Sequence, residues 1–332
     1  MKSEIDKMRP QKQHEDILAL RKISGEMFYE KYQHLFTEIK CPACHTAGTF
    51  IFSKYGFNHE RCQECKTIYT NPRPADDLLI KYYTDYDAPR EWTKLLLETD
   101  IERKVLQHKP RVDLINETIK LFSNRKKEIA VDLGAGTGAF ACALKKSGCF
   151  DDVIAADFAN ECVDACQNNG LTAVKGSIEY FNDNSVDLLT MNDLIEHLFN
   201  PMEFIQKCFS ALKSDGFISI ACPNGEGFDF KIFKENTVNI TPPEHLNYFN
   251  PNSLSRLLES VGFKVLEKQT PGILDVQIVT RGVESNNYNL SKNNEYLNFL
   301  LFECGQHVQQ DFQEFLKSNL LSSHMLIIAK KQ

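Results

Sequence analysis

Cys41, Cys44, Cys62 and Cys65 are spaced C-x2-C-x17-C-x2-C, so two thiolate pairs, each on a tight turn, can face one another and close a tetrahedron around zinc. The intervening "TFIFSKYGF" alternates apolar and polar residues as a β-hairpin does. His45 and His59 lie near enough in sequence to replace a thiolate, but two complete CxxC pairs already supply four ligands. CxxC also serves thiol exchange; two pairs at this spacing favour a metal. Four sulfurs leave no open coordination position, which suits a structural ion rather than a catalytic one. Over residues 41–74 four basic residues (Lys54, Arg61, Lys66, Arg73) stand against two acidic ones, a weak grip for a phosphate backbone.

A second constellation is "VDLGAGTGAF". Gly134, Gly136 and Gly138 let the chain turn sharply between a strand and a helix and approach a ligand closely, as nucleotide-type sites require. The loop also fits the dinucleotide fingerprint through Gly134, Gly136 and Ala139. Two acids separate the readings. Asp132, at the strand's end, would repel a pyrophosphate but suit the ammonium and sulfonium of S-adenosylmethionine (SAM). Asp157 closes the next strand, where a carboxylate can take both hydroxyls of a ribose.

The third set is built on histidine. His197 in "NDLIEHLFNP" and His245 in "TPPEHLNYF" each follow a glutamate, Glu196 and Glu244, that can orient the ring. Either imidazole is matched at neutral pH to removing a proton from a hydroxyl. The alternative is structural: His197 caps the helix that starts near Pro201, and His245 bonds within a proline-rich lid. Asp193, Glu196 and His197 fall at i, i+3 and i+4, so one helical turn would gather them as ligands for a divalent cation.

Positioning these residues takes an α/β scaffold. From about residue 128 the chain alternates short apolar strands ("EIAVDL", "DVIAADF", "LTAVKG", "VDLLTMN", "FISIACP") with helices, which predicts a mainly parallel sheet covered on both faces. "FKVLEKQ" and "SHMLIIAKK" predict a closing antiparallel pair, and the stretch between them one or two helices, with "ESNNYNLSKNNE" as a loop. Upstream, 11–38 reads as a helix, another starts near Asp76, and two more are broken near Pro110. The predicted division is therefore 1–127, holding helices, ribbon (41–74) and a helical cap, and 128–332, holding the sheet. Residues 76–127 are expected to cover the ligand as a lid, with Tyr82, Tyr83, Tyr86 and Trp92 facing an acceptor and Arg103 and Arg111 available to an anionic group.

Bulk composition agrees with a soluble globular protein. The 332 residues are 42% hydrophobic and carry a formal net charge of −7, without the basic excess of a nucleic-acid binder. Eleven cysteines, an odd number, fit a reducing cytoplasm better than a disulfide framework. No secretory h-region opens the sequence and no apolar run reaches the roughly 18 residues of a membrane span.

"VDLGAGTG" with the acid of "AADF" resembles the class I SAM-dependent methyltransferases. "VDLLTMNDLIEHLFNPMEFIQKCFSALKSDGFISIACPN" and "PPEHLNYFNPNSLSRLLESVGF" resemble their ubiquinone-methyltransferase-like branch. The ribbon followed by "TNPRP" is similar to members with an N-terminal zinc segment, which often serve glycan or secondary-metabolite pathways. This resemblance implies a Rossmann-like, doubly wound, seven-stranded sheet with its last strand antiparallel. By position it implies that Asp132, Gly134 and Gly138 meet the methionine part of SAM and Asp157 the ribose. Ser177 and Ile178 would line the adenine, although an acid is commoner at the first of these, and the Asn192 carbonyl would meet the SAM ammonium. The Asp193, Glu196 and His197 positions match those where ubiquinone O-methyltransferases place an acid, a glutamate and a histidine in association with a divalent cation. The expected acceptor is a small molecule with a hydroxyl, a sugar or nucleotide-sugar among them. An RNA-modifying enzyme gripping its substrate by the ribbon and an NAD-dependent oxidoreductase are the competing readings.

Overall fold

The computed structural model describes residues 4–99, 104–285 and 290–332. Its strands in chain order are β1 (Gly48–Lys54), β2 (Phe57–Cys62), β3 (Ile68–Thr70), β4 (Ile129–Leu133), β5 (Asp152–Asp157), β6 (Thr172–Lys175), β7 (Val186–Asn192), β8 (Leu212–Pro223), β9 (Asn247–Tyr248), β10 (Phe263–Gln269) and β11 (His324–Lys331). Seven of them form one sheet in the order β10-β11-β8-β7-β4-β5-β6, with β11 antiparallel to both of its neighbours and β4 to β8 parallel. The parallel strands are those expected from the strand–helix alternation, and the seven-stranded Rossmann-like order with its last strand antiparallel is the one the family resemblance implies. Central strands are apolar along their whole length because both faces are covered. Every residue from Val186 to Met191 is buried.

The strand order reverses beside β4, which lies between β5 and β7, so the crevice at the carboxyl ends of these strands is the expected ligand position. Asp132, Gly134, Asp157 and Asn192 all sit at that edge.

The other sheet joins the two halves of the chain. β1 and β2 form the ribbon hairpin, closed by Tyr55 and Gly56, whose φ values of 53° and 89° suit a tight two-residue turn. β3 pairs with β2 on one side and with β9 on the other. The ribbon is thus stitched into the larger unit, and Cys41, Ala43, Cys62 and Tyr69 share a continuous core with Val131, Leu189 and Phe249.

The long N-terminal helix runs Gln11–Tyr32 and ends in a 3-10 turn, shorter than the 11–38 expected. Phe28 anchors an aromatic cluster with Phe57 of the ribbon and Leu78 and Tyr82 of the helix Asp76–Asp85. Helix Asp87–Glu98 follows, and Lys109–Phe122 begins with Pro110 in its first turn, where a missing N–H costs nothing. Helices Asp275–Ser285, Leu290–Asn293, Glu295–Phe302 and Gln306–Ser318 fill the segment before β11. The stretch expected as a loop, 284–295, is therefore helical where it is described, except at Asn294, which caps the helix Glu295–Phe302; residues 286–289 and Arg103 lie outside the described residues. Among the described residues no helix is long and apolar enough to cross a membrane.

Candidate active site

The glycine loop leaves β4 with positive φ at Gly134 (67°), Gly136 (53°) and Gly138 (79°). The last two do different work. A Cβ on Gly138 would lie 2.8 Å from Cys166 Sγ and from Leu171 Cδ1, so this glycine is needed for packing. A Cβ on Gly136 would meet nothing within 4 Å, which leaves the front of the loop open to a ligand. Gly136 N–H donates to Asp157 Oδ2 at 2.9 Å and Ala159 N–H to Asp157 Oδ1 at 2.9 Å, locking the carboxylate beside the loop. Burial nevertheless raises the Asp157 pKa.

Asp132 is 2% exposed. Thr190 Oγ1 donates to its Oδ1 at 2.7 Å, and Asn192 Nδ2 lies 3.5 Å from the same oxygen. Two neutral donors do not neutralise a buried carboxylate, and burial pushes its pKa up to about 7. A cationic ligand would reverse that shift. Asn192 is held by Arg111, whose Nη1 donates to Asn192 Oδ1 at 3.0 Å. Ser177, buried, and Ile178, 2% exposed, follow β6 at the same end of the sheet. An open backbone cradle, a ribose-type acid and a buried acid without a cation together fit SAM.

Above this crevice Glu196, His197 and His245 converge, with ligand atoms within 4.8 Å of one another. Glu196 is 1% exposed and neither carboxylate oxygen has a hydrogen-bond partner. Burial and then the charge of Asp193 raise its pKa well above the usual carboxylate range. His197 Nδ1 lies 2.7 Å from the Tyr83 hydroxyl, and the rings of His197 and His245 meet edge to face at 4.7 Å. His245 Nδ1 donates to the Asn239 carbonyl at 2.8 Å, which places its lone pair on Nε2. Burial, followed by the neighbouring His197 and Arg21, lowers the His245 pKa well below the ordinary imidazole value and keeps the ring neutral.

The expected Asp193, Glu196 and His197 triad does not form. Residues Ile195–His197 make a single 3-10 turn, and Asp193, at φ 55°, turns the other way. Its Oδ1 accepts from His324 Nε2 at 2.8 Å, and His245 takes its place in the cluster. Of the four aromatics assigned to the acceptor side, Tyr83 reaches the cluster. Tyr82 and Tyr86 pack on Phe28, and Trp92 lies under the Arg21 guanidinium at 4.5 Å. Arg111 is 8% exposed and braces Asn192 and His324 instead of waiting at the surface.

Three features have no short-range signal. Arg21 forms a buried two-pronged pair with Glu244 at 2.7 and 3.1 Å, so the glutamate before His245 is held by the N-terminal helix and not by the ring. Asn239, besides fixing His245, donates through Nδ2 to Asp229 at 2.8 Å. His324 arrives from β11, 131 residues after Asp193. Only the polar residues standing out in apolar contexts, such as Asp229 in "GFDF", hinted at them.

In the ribbon, Cys41 and Cys65 sulfurs lie 3.5 Å apart, Cys44 and Cys62 3.4 Å, and Cys44 and Cys65 3.5 Å. These separations are far beyond a disulfide bond and match four thiolates around one ion. His59 is not a ligand: its Nδ1 bonds the Phe57 carbonyl and its ring stacks on Phe52.

Residues 106–268 match the family model described as a methyltransferase domain. A protein of Mycolicibacterium smegmatis described as a "probable S-adenosylmethionine-dependent methyltransferase" is 32% identical over 83 residues, which are 25% of this chain and 30% of that protein's length. Among solved structures, a SAM-dependent methyltransferase of Thermotoga maritima is 15% identical, with 73% of this chain and 98% of that one covered at a TM-score of 0.44. Another, from Archaeoglobus fulgidus, is 21% identical with 66% and 94% covered at 0.42.

Proposed function

We propose that the chain, whose residues 106–268 match a methyltransferase-domain model, is a class I SAM-dependent methyltransferase that transfers a methyl group to a hydroxyl of a small polar molecule, a sugar or nucleotide-sugar by class. SAM, held by Asp132, the loop at Gly134, Gly136 and Gly138, Asp157, Ser177, Ile178 and Asn192, supplies a methyl carbon already activated by its sulfonium. The chain's own work is to align the acceptor, exclude water and take one proton.

His245 is the proposed general base. The observation that carries this assignment is its Nδ1–H bond to the Asn239 carbonyl, which leaves Nε2 as an unshared acceptor in the cluster. Asp229 steadies Asn239, and Arg21 with Glu244 fixes the loop that bears the ring. His197, tied to Tyr83, and the Glu196 carboxyl, whose oxygens have no hydrogen-bond partner, offer further hydrogen bonds to a polyhydroxylated acceptor. In an alternative use of the cluster, Glu196 once deprotonated and the two imidazoles would form the donor set for a divalent cation of borderline hardness, in place of the set containing Asp193.

Cys41, Cys44, Cys62 and Cys65 hold zinc as a structural ion in this reading. The ribbon's cations support a small-molecule acceptor over RNA, because they are occupied. Lys54 bonds the Thr237 carbonyl, Arg61 pairs with Glu226, Arg73 is buried on Asn247 and Lys66 caps the Gln63 carbonyl. Incubation with methyl-labelled SAM and fractionated cell extract tests the proposal. Label in a small hydroxylated product, lost in His245→Gln, supports it; label only in RNA refutes it.

A further inference from the structure

The "TNPRP" segment after the ribbon and the "HLNYF" segment after His245 meet in the interior. Arg73 is 2% exposed, and burial lowers its pKa to about 9. It donates from Nη1 to Asn247 Oδ1 at 2.7 Å and from Nη2 to the Phe199 carbonyl, with its guanidinium over the Phe199 ring. Its backbone is fixed on the other side by a reciprocal pair of hydrogen bonds with Thr37 at 2.9 and 3.0 Å. Asn247 then spends its amide group on one short stretch of chain: Nδ2 faces the carbonyls of Ile195 and Glu196 at 3.3 Å and of Leu198 at 2.7 Å. Leu246 N–H adds a bond to the Glu196 carbonyl at 2.8 Å.

These anchors matter because the turn has little else. Its internal hydrogen bonds are one at 3.0 Å and one at 3.4 Å, and the Glu196 carboxyl makes no hydrogen bond, with His197 Nε2 at 3.9 Å from one of its oxygens. An unpartnered carboxyl at 1% exposure is unfavourable where it stands, so the main chain must hold it in place. The anchoring strand is itself clamped by the ribbon. β3 pairs Ile68 with Tyr248 and Tyr69 with Asn247, Thr70 N–H donates to the Leu246 carbonyl, and Asn250 Nδ2 donates to the Cys65 carbonyl at 2.9 Å.

We propose that Arg73 and Asn247 are positioning residues for the turn bearing Glu196 and His197, and that through them the geometry of this turn depends on the metal-closed ribbon. The inference rests on reading that turn as the acceptor side of the methyl-transfer site. It gives the zinc knuckle a task beyond holding the N-terminal helices.

Asn247→Asp in the zinc-loaded chain of 332 residues is the test. The aspartate still accepts from Arg73, so docking of the ribbon is preserved, but it cannot donate to the three carbonyls. Amide exchange over 194–199 is expected to accelerate by at least about tenfold while exchange in β4 and β7 stays unchanged. The ring-current shift between His197 and His245 should collapse in the histidine NMR spectrum, and S-adenosylhomocysteine affinity and zinc content should match the unmodified chain. Asn247→Gln, which keeps the amide, should restore part of the protection. Removing zinc from the unmodified chain with phenanthroline should reproduce the local change.

Unaltered exchange and ring shifts in Asn247→Asp, or a turn that stays protected after zinc removal, overturns the proposal. So does a loss of protection spread evenly over the sheet. If Asn247→Asp does not fold, Arg73→Lys, which keeps the charge but not the two-pronged contact, is read in the same way. Because these readouts need no acceptor, a failure here is distinct from a failure of the methyltransferase reading, which would appear as absent S-adenosylhomocysteine binding.

Discussion

Asp132→Asn is expected to stabilise the ligand-free protein in alkaline solution while damaging it as a cofactor receptor. In the fold the carboxyl is 2% exposed and its pKa is pushed from 3.8 up to about 7 by burial. Between those values the folded chain keeps a proton that the unfolded chain releases, so stability falls as pH rises, and the loss is complete above pH 7. A shift of that size corresponds to about 4 kcal/mol at 1.36 kcal/mol per unit, an upper figure that relaxation would reduce. Asparagine has the same shape, keeps an oxygen for Thr190 Oγ1 and has no proton to lose. Urea denaturation of both chains without ligand, at pH 5 and pH 9, reads the difference. Because part of the loss is already complete at pH 5, the variant should gain on the unmodified protein by at most about 2.7 kcal/mol between the two pH values, two pH units at 1.36 kcal/mol each. Its S-adenosylhomocysteine affinity should fall by roughly 10–100-fold, the worth of a charge-assisted hydrogen bond. A stability difference that does not change with pH, or affinity that survives the substitution, would refute the electrostatic account of Asp132.

Other expectations follow from single contacts. Gly136→Ala and Gly138→Ala should separate binding from packing: the first blocks open space and weakens S-adenosylhomocysteine binding at a stability cost of about 1 kcal/mol, whereas the second, clashing with Cys166 and Leu171, should cost about 1–3 kcal/mol, both read by calorimetry. His245→Gln should lower the turnover number by about 100-fold or more. Since burial keeps His245 neutral well below pH 6.5, the rate of the unmodified chain should hold as pH falls through that value, measured by label transfer to the identified acceptor. Glu196→Gln should abolish manganese binding followed by electron paramagnetic resonance, and binding in the unmodified chain should strengthen with pH as the carboxyl releases its proton; unchanged binding in the variant removes the cluster as a metal site.

Much of this architecture was legible because local patterns carried it. The β4 to β8 strands announce themselves as apolar runs, and the positive φ values of Gly134, Gly136 and Gly138 answer to the tight turn that their spacing already suggests. The site was harder to read where partners are distant. Spacing suggested that Asp193 joins Glu196 and His197, but that inference assumed an α-helical turn. The chain makes a 3-10 turn after a left-handed Asp193, and His324 from the last strand claims the carboxylate. Likewise Glu244 looked like a partner for His245 because it is adjacent, although Arg21, 223 residues away, holds it. Long-range pairing of buried polar groups leaves no periodicity to detect, and the β3 to β9 ladder that ties the ribbon to the site is only two residues deep on β9.

The central claim is that the crevice at the carboxyl ends of β4, β5 and β7 receives SAM. Isothermal titration of the purified chain with S-adenosylhomocysteine and, separately, with NAD addresses it directly. The account predicts saturable binding of S-adenosylhomocysteine at one site per chain, lost in Asp157→Ala, and none of NAD. Binding of NAD without S-adenosylhomocysteine, or S-adenosylhomocysteine binding indifferent to Asp157, would contradict it.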